Sequence, residues 1–203
     1  MKKKVQKGQA GYLRHQKIRR GLIAALMFAI PLTIYFSGIA WNGTRNNILT
    51  VVAIVGILPA ARFAVSWIIT LLQKEADPEI IKITEEEAGS LVHGYELAVT
   101  AYEGSVSLDA LVICGNEIAA YSSSEKADLP FFEKHIVKIL STNDIFGARV
   151  RIFRDKDKYR ERIRTLAKDP EKYREGVPEY TNEQYPELSR EEIILHLIMA
   201  IAV

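Results

Sequence analysis

One cysteine, Cys114, stands among 203 residues. A lone thiol closes no disulfide within the chain, which excludes a cystine-stapled secreted fold and fits a reducing compartment. It sits in the apolar run LVICGN, where a packed core thiol is the simplest reading, and no neighbouring base marks it as a nucleophile. Acidic residues are missing from the first 74 positions, the first being Glu75, so that stretch has no carboxylate for metal binding or acid–base chemistry. A Gly-rich phosphate loop is also lacking: GQAG lies in a basic segment and CGN reads as a turn between strands. His15, His93, His135 and His196 lack the i, i+4 and Cys-x2-Cys spacings of zinc sites. There is no internal repeat and no low-complexity segment, which excludes solenoids and arrays. Nothing in the sequence requires a metal or a cofactor.

What the chain has instead is two long apolar runs, residues 21–41 and 48–72. A helix needs about 20 residues to cross a bilayer, and only a short polar turn separates the runs, so they read as a transmembrane hairpin. Residues 1–20 carry eight basic and no acidic residues, while the turn carries Arg45 alone. The positive-inside bias then places the N-terminus in the cytoplasm, and an even number of spans returns the chain to the same side. A signal peptide, with Gly38 and Ala40 as small residues at its cleavage site, is the competing account. The first run exceeds the about 7–15 residues of a signal core, and a second span follows at once. The reading is therefore a cell inner membrane protein with both termini cytoplasmic, divided into a basic arm (1–20), a hairpin (21–73) and a cytoplasmic domain (74–203).

The net charge of +2 conceals a separation, because residues 74–203 hold 17 basic and 25 acidic residues. The arm suits anionic headgroups, where each basic residue contributes about 1 kcal/mol near the surface. Lying against the acidic domain, or marking topology alone, are the other readings of the arm. Tyr35, Trp41 and Trp67 fall toward helix ends, where amphipathic rings favour the interface, and Pro31 and Pro59 are candidate kinks. Arg62 is the one charge deep in a span. Counted from Ile48 it lies about 21 Å in, within about 9 Å of the inner edge of a hydrocarbon core about 30 Å thick. Its stem can snorkel that distance; helix pairing or headgroup binding is the functional alternative.

The last 130 or so residues suit one domain. A helix starts at Pro78 behind Asp77, with Ile80, Ile81, Ile83 and Leu91 available for burial. YELAVTAY, SVSLDALVI and EIAAYSS are short strands broken by EGS and CGN. A helix capped by Asp128 carries Phe132, Ile136, Ile139 and Leu140 on one stripe. ARVRIF alternates as a fourth strand, and the next helix turns Tyr159, Ile163 and Leu166 inward. Residues 169–188 read as a loop held by Tyr173, Tyr180 and Tyr185. Ser189 and Glu192 then form a capping box for a last helix, whose apolar run is too short to span a bilayer and is expected to pack on the domain. The fold class is thus a transmembrane α-hairpin plus a cytoplasmic α/β (α+β) domain, order α-β-β-β-α-β-α-α with a mixed sheet.

This order resembles the core of the restriction-endonuclease-like superfamily, especially nuclease-related domains attached to membrane spans. The local resemblance lies in VSLDALVICGNEIAAYSSS, with Asp109 on the second strand and Asn116 and Glu117 opening the third. The resemblance implies carboxylates that hold Mg²⁺ and a Lys that helps the attacking water. Here the third strand offers Ala119, Ala120, Tyr121 and Ser122 rather than an acid followed two residues later by Lys. With only Asp109, and Glu86 on the first helix, to supply carboxylates, a hydrolytic set is incomplete; local backbone bonding is the alternative role for Asp109. As a whole, the chain also resembles small uncharacterised bacterial two-span membrane proteins, a resemblance that implies no activity.

Residues 149–174 hold 11 basic and 5 acidic residues, and Arg149, Arg151, Arg160 and Arg164 are candidates for an anion-facing surface. Interleaved Asp155, Asp157 and Glu161 give the competing reading of an ordinary solvated helix. Two functions remain. One is a membrane-anchored interaction or scaffold module without catalytic activity, binding the bilayer and another protein or itself. The other is a membrane-bound nuclease-like enzyme or nucleic-acid binder using Asp109 and Glu117. The incomplete catalytic set favours the first and argues against a nucleic-acid partner. The topology is testable: a reporter fused after Val203 should be active only if it reads cytoplasmic location, and activity of a periplasm-dependent reporter there would reject the assignment.

Overall fold

The computed structural model describes residues 6–178, 180 and 185–202. They fall into two compact units, one of residues 13–74 and one that joins the preceding segment to everything after residue 74. In the first unit, helix α1 (Tyr12–Asn42) is followed by α2 (Ile48–Leu72). Asn47 caps α2, its side chain accepting the Thr50 N–H at 3.0 Å. At about 1.5 Å per residue, the 31 residues of α1 extend about 46 Å. α1 begins nine residues ahead of the apolar run, so the basic residues from Arg14 to Arg20 are helical rather than part of a loose arm.

Small residues let the two helices approach closely: Ala24 and Gly38 on α1, and Ala53 and Ala60 on α2, are buried. A Cβ on Gly38 would lie 2.8 Å from the Leu49 Cβ. Trp67 donates its indole N–H to the Lys17 carbonyl at 3.1 Å, and Arg20 donates to the Thr70 hydroxyl. Both helices run uninterrupted through Pro31 and Pro59. Only 17% and 11% of their apolar windows are buried, whereas a helix at the heart of a soluble core is mostly enclosed. Leu22, Leu26, Ile54 and Leu58 point outward. Each helix is long and apolar enough to cross a membrane.

The second unit contains α3 (Pro78–Glu87), β1 (Val92–Ala101), β2 (Gly104–Cys114), β3 (Glu117–Tyr121), α4 (Leu129–Thr142), β4 (Arg149–Phe153), α5 (Lys156–Lys168), α6 (Pro170–Arg174) and α7 (Arg190–Ile201). The sheet order is β1-β2-β3-β4. β1/β2 and β2/β3 pair antiparallel, and α4 carries the chain over to a parallel β4. Asp77, Asp128 and Ser189 cap their helices as the sequence reading expects, the last in a full capping box. The expected α-β-β-β-α-β-α-α order is present with one element more: residues 170–174, read from sequence as loop, form α6, because Pro170 takes the first helical position, where its missing N–H costs nothing.

Helices cover both faces of the sheet. On one, Leu97, Leu108, Leu111, Ile113 and Ile118 pack against Phe132, Ile136 and Leu140 of α4 and Ile193, Ile194 and Ile198 of α7. On the other, Ala110, Val112, Cys114, Ala119 and Tyr121 pack against Ile80 and Ile83 of α3 and Tyr159, Ile163 and Leu166 of α5. Helix α7 therefore packs on the domain. Burial pushes the Cys114 thiol up to about 11, so it stays protonated and inert at neutral pH.

The outer edge of β1 is closed by both ends of the described chain. The Tyr95 N–H donates to the Gly8 carbonyl at 2.9 Å, Ala202 bridges to Val99, and the Lys7 ammonium donates to the Ala202 carbonyl. Between β2 and β3, the two-residue turn Gly115-Asn116 has Gly115 at φ +58 and only the first position left-handed, the pattern of a type II′ hairpin. A Cβ there would lie 2.1 Å from the Tyr173 carbonyl oxygen of α6. Gly115→Ala should thus destabilise the unit by more than the about 1–2 kcal/mol of a left-handed non-glycine residue. Gly89→Ala, also left-handed but in open space, should stay within that range; comparable thermal midpoints for the two variants would contradict this packing.

Candidate functional site

Strand β4 ends the sheet, and among the described residues no strand pairs with its outer side. Beside it opens a cleft of ≈ 780 Å³, within the about 300–1,000 Å³ typical of ligand pockets. Lys134 and Lys138 of α4, Arg149 and Arg151 of β4 and Arg162 of α5 line it, together with Glu117, Glu133, Val137, Val150 and Phe153. Five cations thus face two carboxylates. Glu117 is clasped from two sides, by Arg149 at 3.0 Å and Arg162 at 2.8 Å, and Glu133 accepts the Ile152 N–H at 2.7 Å. Among the described residues, Lys134, Lys138 and Arg151 have no ion-pair partner. This leaves an uncompensated positive field that attracts anions over a range set by salt.

Of the four arginines singled out by sequence, Arg149 and Arg151 lie in this cleft. Arg160 and Arg164 do not. They grip Glu87 of α3: Arg164 donates through Nε at 3.0 Å and Nη2 at 2.6 Å, and Arg160 through Nε at 3.0 Å. Glu86 is half exposed and takes Lys82 and Arg160 at 3.7 Å each. Lys156 joins Asp77 and Glu79, which raise its pKa above the ordinary lysine range. Part of the basic segment is therefore spent neutralising the acidic helix α3. Arg62 is exposed on α2 and has no hydrogen-bond or ion-pair partner among the described residues, an arrangement that suits a snorkelling stem.

Asp109 and Glu117 are kept apart. Glu117 pairs with Cys114 across the β2–β3 ladder, and Asp109 lies five residues further along β2, about 16 Å away at the strand rise. The Asp109 carboxylate is fully buried. It accepts the Asp77 N–H at 3.3 Å and the Ser123 hydroxyl at 3.0 Å, pinning the start of α3 to the loop after β3. It also marks a break in alternation. Leu108 belongs to the α4/α7 face and Ala110 to the α3/α5 face, though residues two apart in a strand share a face. Opposite it on β1, buried Glu96 takes φ +55, and Tyr95 and Leu97 are split between the faces in the same way. Among the described residues, no three His, Cys, Asp or Glu side chains converge on a point.

Sequence reasoning missed Lys134, Lys138 and Arg162. The signal was present: Lys134 and Lys138 are spaced i, i+4 on one face of α4, and on α5 the Arg160/Arg164 pair shares a face that Arg162 does not. The clasp on α3 has a pH signature. Its hydrogen bond to Arg164, then that to Arg160, hold the Glu87 carboxyl below the ordinary 4.5, against the opposing effect of burial. A lowered folded pKa contributes stability that is present above the unfolded value and lost as pH falls through the folded one. Glu87→Gln should therefore melt below wild type at neutral pH, and the gap should close as pH falls below 4.5; a gap independent of pH would refute the charge assignment. Compared with protein-family models, curated proteins and solved structures, the chain gives no match.

Proposed function

We propose that this protein is a membrane-anchored interaction module. Helices α1 and α2 hold it in the bilayer, the α/β unit works on the cytoplasmic side, and the cleft beside β4 binds an anionic partner. The observation that carries this reading is the set of cations without ion-pair partners among the described residues, Lys134, Lys138 and Arg151, gathered around the β4 edge of the sheet. The helical basic residues from Arg14 to Arg20 supply headgroup contacts in the same scheme. A nuclease-like mechanism would need carboxylates meeting at a metal and a polarised water. Asp109 is engaged at the start of α3, and Glu117 is shared between two arginines, so neither favours that chemistry.

The test uses the full chain in phosphatidylcholine nanodiscs and a fluorescent poly-L-glutamate. Binding should weaken steeply between about 50 and 200 mM salt, as charge-driven binding does. Arg151→Glu should lower affinity by about tenfold, equivalent to about 1.4 kcal/mol. Lys158→Glu, an equal charge change outside the cleft, should matter far less. Equal losses in both variants would overturn the site, and Mg²⁺-dependent cleavage of DNA or RNA that disappears in Asp109→Asn would overturn the function.

A further inference from the structure

Among the described residues, strand β4 pairs with another strand on one side only. The Arg149 N–H donates to the Asn116 carbonyl at 2.7 Å, and the Ser122 N–H to the Phe153 carbonyl at 2.9 Å. A parallel strand bonds a neighbour through alternate residues, so positions 149, 151 and 153 address β3. The peptide groups of Val150 and Ile152 face the open side. One of these outward donors already has a substitute partner, since Glu133 reaches from α4 to accept the Ile152 N–H at 2.7 Å. Its carboxylate oxygen occupies the place that the carbonyl of a further strand would take. The other edge of the sheet needs no such substitute, because Gly8 and Ala202 cover β1.

Charge flanks the open edge on both faces. Arg149, Arg151 and Arg162 lie on the side of α5, and Lys134 and Lys138 on the side of α4. Side chains of an extended segment alternate between the two faces, so an acidic segment laid along β4 would meet a cation on whichever face each carboxylate fell. A nucleic-acid strand would satisfy the charges, but it has no row of N–H and C=O groups to match the edge.

We infer that β4 receives an extended acidic segment of a partner protein as a fifth strand, and that Glu133 closes the edge while that strand is absent. Exposed edges are ready templates for such pairing, with main-chain hydrogen bonds giving affinity and flanking side chains giving specificity. The inference rests on the anionic-partner reading and adds to it the class of ligand and the mode of binding.

The experiment uses the full chain in phosphatidylcholine nanodiscs and a fluorescent peptide of alternating Glu and Thr, blocked at both ends. The peptide should bind. A version N-methylated at two consecutive central residues keeps the charge but loses a donor on each edge, and should bind about tenfold more weakly. Val150→Pro removes an outward N–H at a position where an edge strand tolerates proline; it should show a similar loss with its melting temperature retained. Should that variant fail to fold, the N-methyl comparison decides alone. Glu133→Ala frees the Ile152 N–H and should bind more tightly than Glu133→Gln, which removes the same charge but keeps an acceptor. Equal binding of plain and N-methylated peptides would overturn strand addition and leave the anionic-partner reading standing. Failure of both the peptide and polyglutamate to bind would overturn both. A single-stranded oligonucleotide of equal charge that binds more tightly than the peptide would reassign the cleft to nucleic acid and overturn the proposal.

Discussion

A sheet roofed by helices on both faces meets other molecules through its edges. That constraint governs the α/β unit. Residues 108–114 of β2 are buried without interruption, as expected of an interior strand with apolar layers above and below. The backbone in the middle of the sheet is consumed by its own ladders, so a buried carboxylate such as Asp109 serves the fold: it fastens the first turn of α3 to the loop after β3. Exposed peptide groups become available only where the ladder ends. At β1 the chain covers them with its own segments, and at β4 it covers one donor with a side chain.

Charge follows the same division. The acidic helix α3 and the basic helix α5 lie against each other, and their contacts, Glu87 with Arg160 and Arg164 and Asp77 and Glu79 with Lys156, consume cations that the composition of residues 149–174 would otherwise offer a ligand. Exposed pairs of this kind contribute only about 0–1 kcal/mol each, so their larger effect is on where positive potential survives. It survives around β4, where two arginines share one glutamate and three further cations have no ion-pair partner among the described residues.

Much of the architecture was legible because the signals are local. Run length announces α1 and α2, and Asp77, Asp128 and Ser189 announce three helix starts through their own side-chain oxygens. Phe132, Ile136 and Leu140 of the α4 stripe and the Tyr159, Ile163, Leu166 spacing on α5 give faces that are buried, while Ile139 of the stripe is only partly so. What escaped is non-local. That Gly8 bonds to β1 depends on Tyr95, far along the chain. The exchange of faces at Glu96 and Asp109 breaks the period-2 rule on two strands at once, and no single-strand pattern reveals it. The cleft needs α4 placed beside β4, which only the parallel crossover supplies; Arg149 and Arg151 were visible as basic residues, but Lys134, Lys138 and Arg162 become their neighbours only in the folded sheet.

The hydrogen bond from Tyr95 to Gly8 also counts. Gly8 precedes α1 and Tyr95 follows α2, and the two belong to one compact unit. A polypeptide whose upstream and downstream segments are joined by a main-chain hydrogen bond would pass through a bilayer only an even number of times between them, since an odd number would leave donor and acceptor in different compartments. In a bilayer, that main-chain contact would therefore constrain the parity of crossings independently of the basic residues. Charge would then have only the side to choose.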